Sequence, residues 1–371
     1  MLRTGFTTGS CATAAAGAAT YMLLTGKTKD TIDILTPKGV VFHAKVVDIT
    51  IKENEVTCAV IKDAGDDPDV THNAKIFATV TAADDLDSII IDGGEGVGRV
   101  TKPGLDRPVG DAAINTVPRK MIEEQVRNIC RLCDYDRGIK VIISVPGGQE
   151  IAKKTFNERL GIIGGISIIG TTGIVEPMSE QALIDTIKVE LNQKKALGKN
   201  IVAISPGNYG LDFMKNTYGF NLDESVKCSN YIGDTLDIAC ETGFEGLLLC
   251  GHIGKFIKLV GGIMNTHSKV ADCRMELLSI AALNAGCDKS LVFKILDCVT
   301  TEQALSLIDK GEMFDKTMQW CMDRIMYHLR KRAQDRLNIE CIVYSNEFGL
   351  LCKSAGADRY IEIIKNDKEK M

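Results

Sequence analysis

The stretch "RTGFTTGSCATAAAGAA" (Arg3–Ala19) decides how the first part of the chain folds. Ser10 or Thr8 can cap a helix there that runs from about Cys11 to Leu24 and stops at Gly26. The helix is almost wholly alanine and glycine. It buries little side-chain surface, so something else must come close to its backbone. One reading is a capped helix packed tightly on a sheet. The other is an anion site formed by Thr7, Thr8 and Ser10, because backbone N–H groups point outward at a helix start. A second Thr-Thr-Gly, beginning at Thr171 and Thr172, also precedes a helix, and the two loops could meet at one ligand.

Beyond that helix the pattern alternates. "TIDILTP", "VVFHAKVVDIT", "EVTCAVIK" and "IFATVTA" are rich in β-branched residues, with Lys38-Gly39 and Glu53-Asn54 as turns. "AINTVPRKMIEEQVRNICRLCD" reads as a helix and "KVIISVPGG" as a strand ending in a glycine turn. Ser179 caps the helix "EQALIDTIKVELNQKKAL". The first domain is therefore α+β, with its strands largely grouped, and spans 1–198. The second, 199–371, changes rhythm. "NIVAISPGNYG", "SVKCSNYIG" and "EGLLLCGHIGK" are strands that each lead to a loop and a helix, which predicts a parallel sheet covered on its faces. Ligands of such sheets sit where the strand order reverses, at the carboxyl ends of the strands. That selects the loops after Ser205 and after Cys250.

Charge and composition exclude some classes. The net charge of −5 argues against a general nucleic-acid binder, so an anionic ligand must be met by local positive groups. No apolar run of membrane-spanning length lacks glycine. Thirteen cysteines at irregular spacings include one CxxC, Cys130 to Cys133, without a second pair. They read as small buried hydrophobes of a reducing cytoplasm, and no metal site is expected. No cleavable leader is recognised.

Several polar clusters stand out. "IDGGEGVGRVTKPGL" has a GGxGxG that only superficially resembles a dinucleotide loop, since Pro103 blocks the helix that must follow. It reads as a glycine loop touching a ligand, with Glu95 and Arg99 as its charged members. "KDAGDDPDVTHN" reads as a solvated acidic turn. Ser205, Pro206, Gly207, Asn208 and Gly210 form a strand end where backbone can approach a cofactor. Gly251, His252, Gly254 and Lys255 form another. Next to it stand Asn265, His267, Ser268, Lys269, Asp272 and Arg274. Lys255 and Lys258 are explained as solvated lysines; the Asn-Thr-His-Ser run is not. Lys153, Lys154 and Arg159 could meet carboxylates.

Taken in order, "TGFTTGSCATAAAGAA", "DAGDDPDVTH", "GGEGVGRVTKPGL", "VPRKMI", "VPGGQEIAKKTFNERLGIIGGISIIGTTGIVEPMSE", "ISPGNYG" and "GHIGKFIKLVGGIMNTHSKVADCR" resemble the cobalt-precorrin-5B C1-methyltransferase family, the CbiD type. Gly17 departs from the family, where a larger or charged residue is expected. The resemblance implies transfer of a methyl group from S-adenosyl-L-methionine to C1 of a cobalt-containing tetrapyrrole, giving cobalt-precorrin-6A in anaerobic cobalamin biosynthesis. Cobalt would come with the substrate. It also implies a permuted ribosomal-protein-S5-domain-2-like first domain that binds substrate. The second would be a Rossmann-like α/β domain with four parallel strands in the order 2134 that binds the cofactor.

On this reading S-adenosylmethionine lies across Ser205–Gly210 and Gly251–Lys255, with the tetrapyrrole between the domains. The ring's acidic rim is met by Thr7, Thr8, Ser10, Glu95, Arg99, Lys153, Lys154, Arg159, Thr171, Thr172, Asn265, Ser268 and Lys269. His252 or His267 would serve as a base, with Asp272 orienting a histidine. A homo-oligomer or contacts with pathway enzymes are compatible partners; nucleic acid and membrane are not expected. Two alternatives stay open at this point: a small-molecule kinase, and a non-catalytic corrinoid carrier.

Overall fold

Strand β1 (Gly5–Phe6) leads into helix α1 (Thr8–Thr25), which is buried without a break from Thr8 to Thr20. This is a computed structural model, and it describes residues 2–83, 88–207, 210–308 and 312–369; Asn208 lies outside them. Thr7, rather than Ser10 or Thr8, is the N-cap, and Gly26 ends α1 in the left-handed conformation. The strands that wall α1 are β2 (Thr31–Leu35), β3 (Val41–Lys52), β4 (Glu55–Ile61) and β5 (Lys75–Ala83). Then come β6 (Ile89–Gly93), the short β7 (Gly96–Val97) and β8 (Arg99–Val100), helix α2 (Thr116–Leu132), β9 (Gly138–Ser144) and α3 (Gly148–Ala152). Three two-residue strands, β10 (Ile162–Ile163), β11 (Gly165–Ile166) and β12 (Ile174–Val175), complete this unit.

Six of the strands form a sheet in the order β2-β3-β4-β5-β9-β6, antiparallel except for the β6/β9 pair. Side chains alternate across it, so Val56, Cys58, Val60, Ile76, Ala78, Val80, Ile139, Val141 and Ile143 all point to one buried face. Helix α1 lies on that face, against β4 and β5 on one side and α2 on the other. With little more than a methyl group per residue, α1 lets both neighbours approach its backbone, and Cys58 Sγ reaches the Ala15 carbonyl at 3.3 Å. Of the two readings of the opening stretch, tight packing is the one the fold realises. Gly17 faces Gln125 and Ile32; a Cβ there would stand 2.8 Å from Gln125 Cγ.

The glycines of the 93–98 loop serve a backbone crossing. Gly96 has φ 72°, and a Cβ on it would stand 1.9 Å from the Val145 carbonyl oxygen. No helix follows; the chain continues into β7 and β8.

The second unit begins earlier than expected. The compact units are Met1–Ser179 and Glu180–Met371, so the boundary after Gly198 is corrected. Helix α4 (Glu180–Ala196) buries Ile187 and Leu191 in the second core. Its sequel is β13 (Ile201–Ser205), α5 (Leu211–Tyr218), β14 (Val226–Lys227), α6 (Ile232–Thr242), β15 (Gly246–His252), α7 (Ile253–Val260), α8 (Arg274–Ala285), α9 (Lys289–Leu296), α10 (Thr301–Leu307), α11 (Glu312–Ala333), β16 (Asn338–Ser345), β17 (Gly349–Lys353) and α12 (Ala357–Glu369). The sheet order is β14-β13-β15-β16-β17. The first four strands are parallel, and β17 adds an antiparallel edge that a four-stranded reading omits.

Both faces are covered, which is why β15 reads as the unbroken apolar run Gly246–Gly251. Helices α5 and α12 cover one face through Met214, Ala357 and Ile361. Helices α4, α6, α7, α8 and α11 cover the other. No helix of the described residues is long and apolar enough to cross a membrane. The cysteines are free thiols, most of them buried, and burial pushes Cys11 and Cys58 up to about 12.

If α1 depends on its small side chains, Ala15→Leu overpacks the α1–sheet contact. Urea unfolding should show a loss of about 1–3 kcal/mol. Wild-type stability in that variant would show that the helix has room to spare.

Candidate functional site

Strand β13 feeds α5 on one face of the second sheet, whereas neighbouring β15 feeds α7 on the other. The chain therefore diverges at the carboxyl ends of these two strands, the place where open α/β sheets form their ligand crevice. Tyr344, at the end of β16 and 1% exposed, lies beside this divergence. Its ring stacks on Phe213 at 5.1 Å and meets the His252 ring edge-on at 6.0 Å. Gly210, with φ 90°, passes directly over it; a Cβ there would stand 2.2 Å from the ring, so only glycine fits.

The predicted cofactor residues divide by environment. Ser205 is fully buried, and its hydroxyl lies 2.7 Å from Ser225 Oγ and 3.2 Å from the Gly207 carbonyl, so its side chain is not free for a ligand. Lys227 is drawn into the same knot, donating to the Leu222 carbonyl at 2.6 Å. Pro206 and Gly207 are half-buried, and a Cβ on Gly207 would meet nothing within 4 Å. Gly251 is packed beneath the Phe256 ring. The expected glycine loop after β15 is absent: the strand runs through His252 and α7 starts at Ile253, which puts Gly254 and Lys255 in its first turn.

His252 caps that helix. Its Nδ1 accepts from the Gly254 N–H at 3.1 Å, and its Nε2 lies 3.0 Å from Glu302 Oε1. Burial lowers its pKa from the ordinary 6.5, with Glu302 acting in the opposite sense. The predicted orienting carboxylate, Asp272, does not reach a histidine. It forms a two-bond pair with Arg274, at 2.5 and 3.0 Å. Sequence reasoning missed Glu302 because it lies 50 residues past His252, with three helices between, and carries no local pattern.

The Asn-Thr-His-Ser run is a self-bonded loop. Asn265 Oδ1 accepts from His267 N at 3.1 Å, and His267 Nδ1 accepts from Lys269 N at 3.0 Å. Lys258, expected to be solvated, is 3% exposed and donates to the Thr266 and Ala271 carbonyls at 3.1 and 2.7 Å. It is the pin that holds this loop against α7. Burial lowers the pKa of both Lys255 and Lys258. Ser268 and Lys269 are exposed on the loop.

In the first unit the two Thr-Thr-Gly loops do meet, but they bind each other. β1 pairs with β12, Ser10 Oγ donates to the Gly173 carbonyl at 2.7 Å, and Thr8 Oγ1 accepts from Ile169 N at 2.9 Å. The α1 N-terminal N–H groups are spent on the Ile169 carbonyl, Thr7 Oγ1 and the Thr7 carbonyl. This corrects the outward-facing anion site at Thr7, Thr8 and Ser10, all of which are buried. Thr171 and Thr172 are exposed beside it.

Arg99 is exposed but bound to Asp92 at 2.8 Å and to the Gly93 carbonyl at 3.0 Å. Glu95 is exposed, its carbonyl accepting from Val145 N, three residues before α3. Lys153 and Lys154 follow α3 on the surface, with Lys153 2.8 Å from Glu150. Arg159 is exposed, and its carbonyl accepts from Lys102 Nζ at 3.3 Å. The acidic turn is a lock rather than a solvated patch. Asp63 holds Arg3, buried Lys62 reaches Asp69 at 2.6 Å, and Asp67 takes Met178 N at 3.0 Å.

Residues 1–177 match the family model described as CbiD, and residues 265–355 match that described as the CbiD C-terminal domain. The chain is 46% identical over 367 residues to the cobalt-precorrin-5B C(1)-methyltransferase of Alkaliphilus metalliredigens, covering 99% of this chain and 96% of the relative. It is 45% identical over 345 residues to the protein of the same name from Ruminiclostridium cellulolyticum, covering 93% and 89%. A crystal structure of a cobalamin biosynthesis protein, CbiD, from Archaeoglobus fulgidus is 29% identical with a TM-score of 0.40, covering 73% of this chain and 83% of that one.

Because the folded His252 has a pKa below its unfolded value, the unfolded chain takes up the proton first as pH falls. The contribution of the neutral ring is whole above about pH 6.5 and declines below it. His252→Asn keeps an acceptor for the Gly254 N–H without the titration. Urea midpoints at about pH 7.5 and about pH 5 should fall less in the variant than in the wild type. Equal losses would place the acid sensitivity elsewhere.

Proposed function

The chain belongs to the CbiD family, and we propose that its β13/β15 crevice holds the methyl donor, S-adenosyl-L-methionine, for methylation of cobalt-precorrin-5B at C1. It is a methyltransferase of cobalamin biosynthesis. The product on this reading is cobalt-precorrin-6A, and cobalt enters as part of the substrate. The observation that carries the donor's placement is the divergence of the chain at the ends of β13 and β15, with open space at Gly207. Counted from its own first strand, the second unit's parallel strands run 2-1-3-4, which supports reading it as the cofactor unit. The first unit, read as the permuted S5-like one, would then serve the ring.

The chemistry asks little of the protein beyond alignment. A ring carbon supplies an electron pair to the methyl carbon, the C–S bond breaks, and its pair stays on sulfur. Proximity and orientation can supply roughly 7–11 kcal/mol of such a barrier. Half-buried main chain at Pro206 and Gly207 offers peptide groups without bulk. Lys153, Lys154 and Arg159 are exposed cations suited to the ring's acetate and propionate groups. Arg99 and Lys153 are already paired, with Asp92 and Glu150, so each would exchange that partner for a carboxylate of the ring.

Two substitutions test these placements. Gly207→Val should leave the melting temperature unchanged, because its side chain enters open space, and should abolish the calorimetric signal of S-adenosylmethionine. Unaltered affinity would move the donor elsewhere. Lys153→Glu should weaken tetrapyrrole binding, by about tenfold at low ionic strength and less in salt. Equal affinity at every salt concentration would take the rim contacts away from α3.

A further inference from the structure

The first residues of α10 fold back onto the end of β15. Glu302 Oε1 stands 3.0 Å from His252 Nε2, and Glu302 Oε2 accepts from Thr301 Oγ1 at 2.9 Å. Nε2 and Oε1 are both sealed from solvent, yet they are not aligned as a hydrogen bond. The carboxylate therefore has one bond where it can accept about four. Arg274, near enough to sense its charge, is already committed to Asp272. An under-bonded carboxylate kept partly buried costs stability, so a fold that retains one at its strand crevice has a use for it there.

The ring's protonation follows from its cap. Nδ1 accepts from the Gly254 N–H, so in the neutral ring Nε2 carries the proton and faces Glu302. Neither nitrogen is left to take a proton from a substrate. The side chain at this strand end with spare acceptor capacity is the glutamate, and 22% of it remains exposed.

A negative group here repels an acid-rimmed ring. It suits a cationic ligand with paired hydroxyl donors, and a sulfonium nucleoside is both. We propose that Glu302 binds the ribose hydroxyls of the methyl donor and that His252 is its positioning residue, an inference that rests on the donor reading above. Oε2 has lone pairs to spare beyond its Thr301 bond and can accept from the hydroxyl pair, while the cap bond fixes how His252 faces the sealed Oε1.

Calorimetry on the full chain tests this with two probes, S-adenosylhomocysteine and its 2′-deoxyribose analogue. Wild type should bind the first about tenfold more tightly or better, as expected for hydroxyls bonded to a charged group. Glu302→Ala should lose that discrimination, and Glu302→Gln should retain part of it. His252→Asn, which keeps the cap acceptor, should melt close to wild type and still lose discrimination. A purely structural histidine would leave it intact. If wild type binds neither probe, the donor reading falls and this inference with it. If wild type binds both and Glu302→Ala, folded by its melting transition, discriminates as before, the donor reading stands and Glu302 is not its ribose partner.

Discussion

The structure depends on main chain approaching main chain where side chains are absent or nearly so. Helix α1 is the largest instance. Its walls close on alanine and threonine, and the backbone of one layer lies within reach of the next. Gly96 repeats the device where three chain segments cross, and Gly210 repeats it over the Tyr344 ring. A helix of this composition has no wide apolar stripe to bury. Its stability in place comes from the sheet and α2 around it rather than from its own side chains.

The same economy shapes the polar groups. Cations that look available in the sequence are consumed by carbonyls and carboxylates: Lys258 by the 265–271 loop, Lys227 by the turn before β14, Arg99 by Asp92. Each pairing ties its cation to a loop or turn, and Lys258 is taken out of the surface altogether. Lys153, Lys154 and Arg159 follow α3 at the surface of the first unit, and the Glu302 carboxylate stands beside the end of β15 in the second.

Much of this was legible in the residues, for identifiable reasons. The strands of the first sheet alternate because one face is buried, and β13 and β15 read as apolar runs because both of theirs are. Gly26 announced the end of α1. Other features carried no local signal. Lys255 and Lys258 read as solvated lysines, whereas α7 buries the Lys258 tip on two carbonyls. α4 has a helical period, but a period does not say which core will receive it. β17 is an antiparallel edge that only its pairing with β16 reveals. His252 stands out in the sequence by its strand-end position. The carboxylate beside it is Glu302 rather than the expected Asp272, because nearness in sequence is not nearness in space.

Hydrogen–deuterium exchange with S-adenosylhomocysteine tests the central claim most directly, because it reads the bare main chain itself. The account predicts slowed exchange in two short segments, the end of β13 into the following turn and the end of β15 into the first turn of α7. Slowed exchange confined to the first unit, with both segments unchanged at saturating ligand, would contradict it.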